Sequence, residues 1–275
     1  MNTFPAVEDQ DDFALLAVAR LEWIKFRSKS LRAVFEEFTR WENPDHVRLH
    51  LDHVPVIDED NLPVDYLPLI REAIELGYQS VMVDGSRLSL AENIKATSQV
   101  TELAHKAGIP CEAELGAVLG HEAGPIPPYE ELFDSGRGFT NIIEAERFVR
   151  ETGCDWLSVA IGNIHGAVST ALKDKEKVAA RLNLDHLAKL ARATNIPLVL
   201  HGGSGVRQQD ILKAVKLGIA KVNIGTEVRQ TYERALREKG RVTAAQEAVY
   251  KRTCFLLKDY FGLTGSRGLL VEAAP

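Results

Sequence analysis

The chain has 275 residues, 45% of them apolar and 26% charged, with a formal net charge of −6; this length suits one large α/β domain, and the apolar fraction excludes intrinsic disorder. The acidic balance, with no block of lysine or arginine, excludes a general attraction to nucleic acid. Runs such as Ile196 to Leu200 are too short to cross a bilayer and the start of the chain, acidic from Glu8 to Asp12, has no secretory pattern, so a cytoplasmic protein without a membrane partner is expected.

Short apolar runs recur along the chain, each followed by a helical pattern, and that alternation is the signature of βα units. Taken in order, the predicted strands are 13–19, 47–53, 79–86, 110–115, 156–162, 197–202 and 221–226. Between them lie helical stretches at 65–77, 90–108, 144–153 and 208–218, each stopping at a glycine suited to a left-handed C-terminal cap. The strands are rich in Val, Leu, Ile and Ala, as a parallel sheet covered on both faces requires. No GxGxxG turn opens a first helix, and polar residues sit at the ends of several strands instead of at one crevice. Both features favour a TIM-type (β/α)8 barrel over an open sheet.

The strand count is one short, because nothing before Phe13 has strand character; the barrel is expected to lack, or to have altered, its first βα unit. One domain over 1–275 is expected, with a loop-rich insertion around 117–140 and a helical extension around 243–265. Three widely spaced cysteines, Cys111, Cys154 and Cys254, show no zinc-ribbon or redox spacing and read as reduced thiols.

At or just past the predicted strand ends stand Asp52, His53, Asp84, Glu112, Glu114, His165, His201 and Asn223. Three histidines on three strands of a barrel converge on one mouth, where they would hold a tetrahedral zinc and leave a position open for substrate. Two glycine-rich strand ends come late, Gly202-Gly203-Ser204-Gly205 and Asn223-Ile224-Gly225-Thr226. The loops after the last strands of a barrel are its usual phosphate seat, and glycine permits close backbone approach to an anion.

In these ordered segments the chain resembles the class II ketose-bisphosphate aldolases: His50-Leu51-Asp52-His53, the stretch from Ser80 to Ser86, Glu112-Ala113-Glu114-Leu115-Gly116, Ile161 to Gly166, Leu200 to Gly205, and Val222 to Glu227. The resemblance implies a zinc enzyme that reversibly cleaves a ketose 1,6-bisphosphate of the fructose or tagatose type, through a metal-stabilised enediolate. The products would be dihydroxyacetone phosphate and an aldehyde such as glyceraldehyde 3-phosphate, a step of glycolysis or related sugar metabolism. It implies His53, His165 and His201 as zinc ligands and Asp52 as the acid/base for the proton on the C4 oxygen. Asp84 and Glu114 match carboxylates of a more buried metal position, which His53 also serves, and Glu112 would support the ligands. Glu122 falls where a loop glutamate moves the carbon-bound proton. Phosphate would rest on Gly166, Gly202, Gly203, Ser204, Asn223, Ile224, Gly225 and Thr226, with a monovalent cation, Na+ or K+, nearby. A homodimer or homotetramer is implied, with 243–261 as an interface helix.

Two departures from the resemblance stand out. The family's first strand and helix, with an Asn-bearing strand end, are not recognisable, and Ala19 or Arg20 falls where a serine often contacts substrate. Arg87 replaces a histidine common in relatives. Two rival readings stay open: a barrel that binds metal without turnover, and a zinc hydrolase, against which the paired phosphate loops count.

Overall fold

A computed structural model describes residues 3–25, 28–116, 129–163 and 180–268. In chain order the elements are α1 (Thr3–Asp9), β1 (Ala14–Ala19), α2 (Arg20–Ile24), α3 (Leu31–Thr39), β2 (Val47–Pro55), α4 (Tyr66–Leu76), β3 (Ser80–Asp84), α5 (Leu90–Lys106), β4 (Cys111–Leu115), α6 (Tyr129–Ser135), α7 (Ile142–Thr152), β5 (Trp156–Val159), α8 (Leu184–Thr194), β6 (Leu198–Leu200), α9 (Gln208–Lys216), β7 (Ile219–Val222), α10 (Thr226–Lys239) and α11 (Val242–Phe255), which runs into a π-helical turn at Leu256–Phe261. Their boundaries follow local chemistry. Ser89 and Glu92 form a reciprocal capping box at the start of α5, while Gly77, Gly153 and Gly240 end α4, α7 and α10 in the left-handed conformation.

The seven strands pair in sequence order and every pair is parallel. Alternation separates the two faces. Val47, Leu49 and Leu51 of β2 and Val81 and Val83 of β3 pack outward against Phe38, Ile70 and Val100 of the helices. In the second half Leu157, Val159, Leu198 and Leu200 pack on Phe148, Leu187, Leu190 and Ile211. Each such side chain contributes roughly 1.5–3 kcal/mol by leaving water. The other face carries His50 and Asp52 on β2, Glu112 and Glu114 on β4 and Lys221 on β7, and its polarity requires that they meet one another.

They do, and this shows that the sheet curls. Strands β2 and β7 are five spacings apart, about 24 Å across a flat sheet, yet Lys221 Nζ lies 3.2 Å from His50 Nε2. The sheet is thus a curled, barrel-like wall and not a closed (β/α)8 barrel: among the described residues there are seven strands, and β1 and β7 are its edges. The segment ahead of β1 is helical because Ala6 and Val7 are buried on one side while Glu8 and Asp9 face solvent. Helix α11 packs on both α10 and α1. Beyond it, Gly265 and Arg267 donate backbone bonds to Gln10 and Asp11 at 2.9 and 3.1 Å, and Ser266 Oγ donates to Asp12 Oδ1 at 3.0 Å.

The stretch expected as a loop around 117–140 contains α6, whose Leu132 is buried. Its Tyr129 hydroxyl accepts the Arg181 N–H at 2.6 Å and lies 3.0 Å from the Gly162 carbonyl, its acceptor. All three cysteines are free thiols, with Cys111 and Cys154 buried. No described helix is long and apolar enough to cross a membrane.

Candidate active site

A bulge at the end of β2 decides what the mouth of the curled sheet contains. In a regular strand successive side chains point to opposite faces, so Asp52 and His53 would not share one. Between Leu51 and Val54, however, β2 carries one residue more than β3 does between Val81 and Val83, and His53 adopts left-handed backbone with φ of 39°. The conformation costs a non-glycine residue about 1 kcal/mol. Its effect is to turn both side chains inward.

His53 presents one nitrogen to two carboxylates and the other to a second imidazole. Its Nδ1 is 3.3 Å from Asp84 Oδ2 and 3.9 Å from Glu114 Oε2, and its Nε2 is 2.6 Å from His201 Nδ1. The two rings stand edge to face, their centroids 4.4 Å apart. His201 Nε2 in turn lies 2.8 Å from Glu112 Oε1. Assigning a proton to each nitrogen that faces a carboxylate puts Nδ1–H on His53 and Nε2–H on His201. The two lone pairs then converge, as they do in metal-ligating histidines backed by carboxylates.

In the metal-free chain, by contrast, the electrostatics put a proton between the two rings. Burial disfavours a charged His53, but the surrounding Asp52, Asp84 and Glu114 outweigh it and hold its pKa up at about 10. His201 moves down, through burial and the positive His53. Asp84, although partly buried, is held at about 2 by His53 and by the Ser86 hydroxyl and N–H, which donate to Oδ1 at 2.6 and 3.0 Å. Glu114 is pushed well above the carboxylate range by burial and by Asp84, and its buried Oε2 accepts no hydrogen bond among the described residues. Asp52 is held well below that range: burial would raise it, but Lys221 and His53 prevail. Asn223 Nδ2 lies 3.2 and 3.1 Å from the two Asp52 oxygens.

The donor set fits a metal. Asp52, His53 and His201 offer atoms within 4.8 Å of one another, and so do His53, Asp84 and Glu114; imidazole nitrogen with carboxylate oxygen suits zinc. The unpartnered Glu114 oxygen is what a cation would satisfy.

The two glycine-rich ends also meet. Gly203 N–H donates to the Asn223 carbonyl at 3.1 Å, so this amide holds the loops together and is not offered outward. A Cβ on Gly203 would stand 2.6 Å from Val222 Cγ1. Ser204 Oγ accepts from Glu227 N–H at 3.4 Å, which sets the loop containing Gly202 against the start of α10, after Ile224, Gly225 and Thr226. Arg87 is exposed and donates to Asn61 Oδ1 at 3.1 Å, and Arg20 lies 3.6 Å from Asp58. His165, Gly166 and Glu122 lie outside the described residues.

Sequence reasoning passed over Lys221, and it met His50 only as part of a motif. His50 is fully buried, with Nδ1 2.8 Å from Ser80 Oγ, and Lys221 donates to Glu112 Oε2 at 2.6 Å. The signal was present: Lys221 and Asn223 alternate as His50 and Asp52 do, and as Glu112 and Glu114 do, marking one polar inner face.

Comparison with known proteins accords with this geometry. Residues 3–266 match the family described as fructose-bisphosphate aldolase class-II. The chain is 41% identical over 207 residues, 75% of its own length, to the fructose-bisphosphate aldolase of Streptococcus pneumoniae serotype 4; the match spans 61% of that enzyme. It is 40% identical over 181 residues, 66% of the chain and 53% of the relative, to the 6-phospho-5-dehydro-2-deoxy-D-gluconate aldolase of Bacillus subtilis. The crystal structure of the YdjI aldolase from Escherichia coli K12 superposes with a TM-score of 0.75 at 27% identity, covering 97% of this chain and 88% of that one. With a family match over nearly its whole length, and a polar, histidine-bearing mouth on a parallel αβ wall, the chain belongs to the class-II fructose-bisphosphate aldolase family.

Proposed function

We propose that the chain is a zinc-dependent aldolase that reversibly cleaves a phosphorylated ketose at a carbon–carbon bond, with ketose 1,6-bisphosphates as first candidates. The observation that carries this reading is the meeting of His53 Nε2 and His201 Nδ1 at 2.6 Å with a carboxylate behind each ring. His53 and His201 would hold the zinc, with His165 completing the set as the resemblance implies. Asp84 and Glu114 offer a second position on the other side of the His53 ring. Zinc held by the histidines would supply a Lewis acid for the charge left beside the ketose carbonyl.

The protein's own groups do the remaining work. Asp52, ionised and hydrogen-bonded to Asn223, takes the hydroxyl proton during cleavage and returns it during condensation. Glu122 is assigned the proton on carbon. Phosphate is assigned to the loops of Gly202 to Ser204 and Asn223 to Thr226, where the start of α10 adds a favourable dipole for an anion. The two curated relatives act, by their names, on different phosphorylated substrates, so phosphate is the shared element and the rest of the sugar is to be assayed. The reading includes a cytoplasmic homo-oligomer, checked by light scattering. Its central test is triose phosphate release from fructose and tagatose bisphosphates, before and after chelation. Cleavage that stops with chelator and returns with zinc is expected; undiminished activity in fully stripped protein would defeat the mechanism, and a zinc-loaded but inert protein would favour a binding role.

A further inference from the structure

Beneath the mouth lies a third group with the proximity of a metal site. His50, Asp52 and Glu112 offer atoms within 4.8 Å of one another, all three residues buried. This trio differs from the two above it because the chain fills it. Lys221 Nζ stands 2.6 Å from Glu112 Oε2, 3.2 Å from His50 Nε2 and 3.7 Å from Asp52 Oδ1. An ammonium has three protons and accepts nothing, so His50 Nε2 must be an acceptor here, and His50 Nδ1–H donates to Ser80 Oγ. The lysine comes from β7 and the trio from β2 and β4, on the far side of the curled wall. The contact is therefore a tie across the interior.

One member of the trio runs on to the mouth. Glu112 gives Oε2 to Lys221 and Oε1 to His201 Nε2. A carboxylate is planar, so fixing one oxygen fixes the direction of the other. The Oε1 contact in turn decides which nitrogen of His201 bears the proton and where the opposite nitrogen aims.

We propose that Lys221 is a positioning residue, a built-in cation that locks the Glu112 carboxylate and, through it, the tautomer and aim of His201 toward the metal. The inference rests on the reading that His53 and His201 hold zinc. It assigns Lys221 no contact with substrate.

The experiment measures zinc affinity of metal-stripped, folded protein by competition with a chelator, with circular dichroism as the check on folding. Lys221→Met keeps the length and removes the charge; it is expected to weaken zinc about 10- to 100-fold, the range for outer partners of metal ligands. Glu112→Gln and the double variant K221M/E112Q complete the cycle. If the lysine acts through Glu112, the double variant binds zinc as E112Q does, because with residue 112 neutral there is no carboxylate left to lock. A folded K221M with native zinc affinity overturns the proposal, and so does a double variant about tenfold weaker than E112Q. Should K221M alone not fold, the comparison of K221M/E112Q with E112Q still decides, since that pair removes both charges together. Failure of the native chain to bind zinc sinks the functional reading and this inference together, whereas native binding with an indifferent Lys221 sinks the inference alone.

Discussion

The mouth of the curled sheet and the layer just beneath it are built from the same residue types, and they differ in one respect. Below, the carboxylate of Glu112 faces an ammonium supplied by the chain, with His50 and Asp52 around it. At the mouth, His53 and His201 meet each other and the carboxylates of Asp84 and Glu112, and one oxygen of Glu114 accepts no hydrogen bond among the described residues. Buried charge must be compensated. The lower layer is balanced by the chain's own lysine; the metal-free mouth is balanced by a proton on His53, which a metal ion can replace. Chemistry is expected where the balancing charge is exchangeable.

The largest effect should come from removing a lone pair at the mouth. His201→Ala deletes one of the two converging nitrogens, and zinc affinity should fall at least about 100-fold, with cleavage down by about 10³ or more. Competition with a chelator and the triose release assay measure both; near-native zinc binding would erase the contrast between the layers.

Gly203→Ala tests a third region. The added methyl, 2.6 Å from Val222 Cγ1, must push the two glycine-rich loops apart, while the histidine pair stays in place. We expect KM for the phosphorylated substrate to rise about tenfold, with zinc affinity unchanged. An unchanged KM would remove these loops from substrate binding.

The smallest effect concerns pH and the metal-free chain. The pKa of His53 is raised to about 10 from an ordinary 6.5, so its contribution to stability is fully present below about pH 6.5 and is lost as pH climbs toward 10. Asp84 is depressed to about 2 from 3.8, so its contribution is present above about pH 4 and is lost as pH falls through 2, roughly 2 kcal/mol at the acid end. Thermal melts of stripped protein should therefore be most stable between about pH 4 and 6.5. Zinc should extend that window upward, because metal replaces the proton that holds the two rings together. A metal-free chain whose stability keeps rising above pH 7 would contradict the assigned pair.

Much of this was legible in the amino-acid sequence, for identifiable reasons. Seven strands were expected and seven are found among the described residues, since apolar runs with glycine stops report burial on both faces directly. Some C-terminal limits were drawn long, 156–162 against Trp156–Val159 and 221–226 against Ile219–Val222, whereas 47–53 was drawn short of Val47–Pro55. At a barrel mouth the chain leaves the sheet while its residues stay apolar or polar in the same rhythm, so composition does not mark the exit. Asp52, His53, Asp84, Glu114, His201 and Asn223 were singled out because strand ends collect at one mouth. Lys221 was not, because a lysine inside a strand resembles a solvent-facing residue until the curvature of the wall is known. The helix at Tyr129–Ser135 escaped notice among prolines and glycines; Leu132 and the Tyr129 hydroxyl reveal it only through partners distant in sequence.

The extra residue in β2 carries a last consequence. Asp52 and His53 are joined by a single peptide bond, so the proposed proton carrier and the proposed ligand are held to each other by covalent geometry and not by the packing of separate strands. When the wall breathes, His201 and Glu114 can drift relative to this pair, but the pair itself keeps its spacing. Excision of one residue there would restore ordinary pleating and leave only one of the two facing inward, so the mouth would keep either the acid/base group or the metal ligand and lose the other.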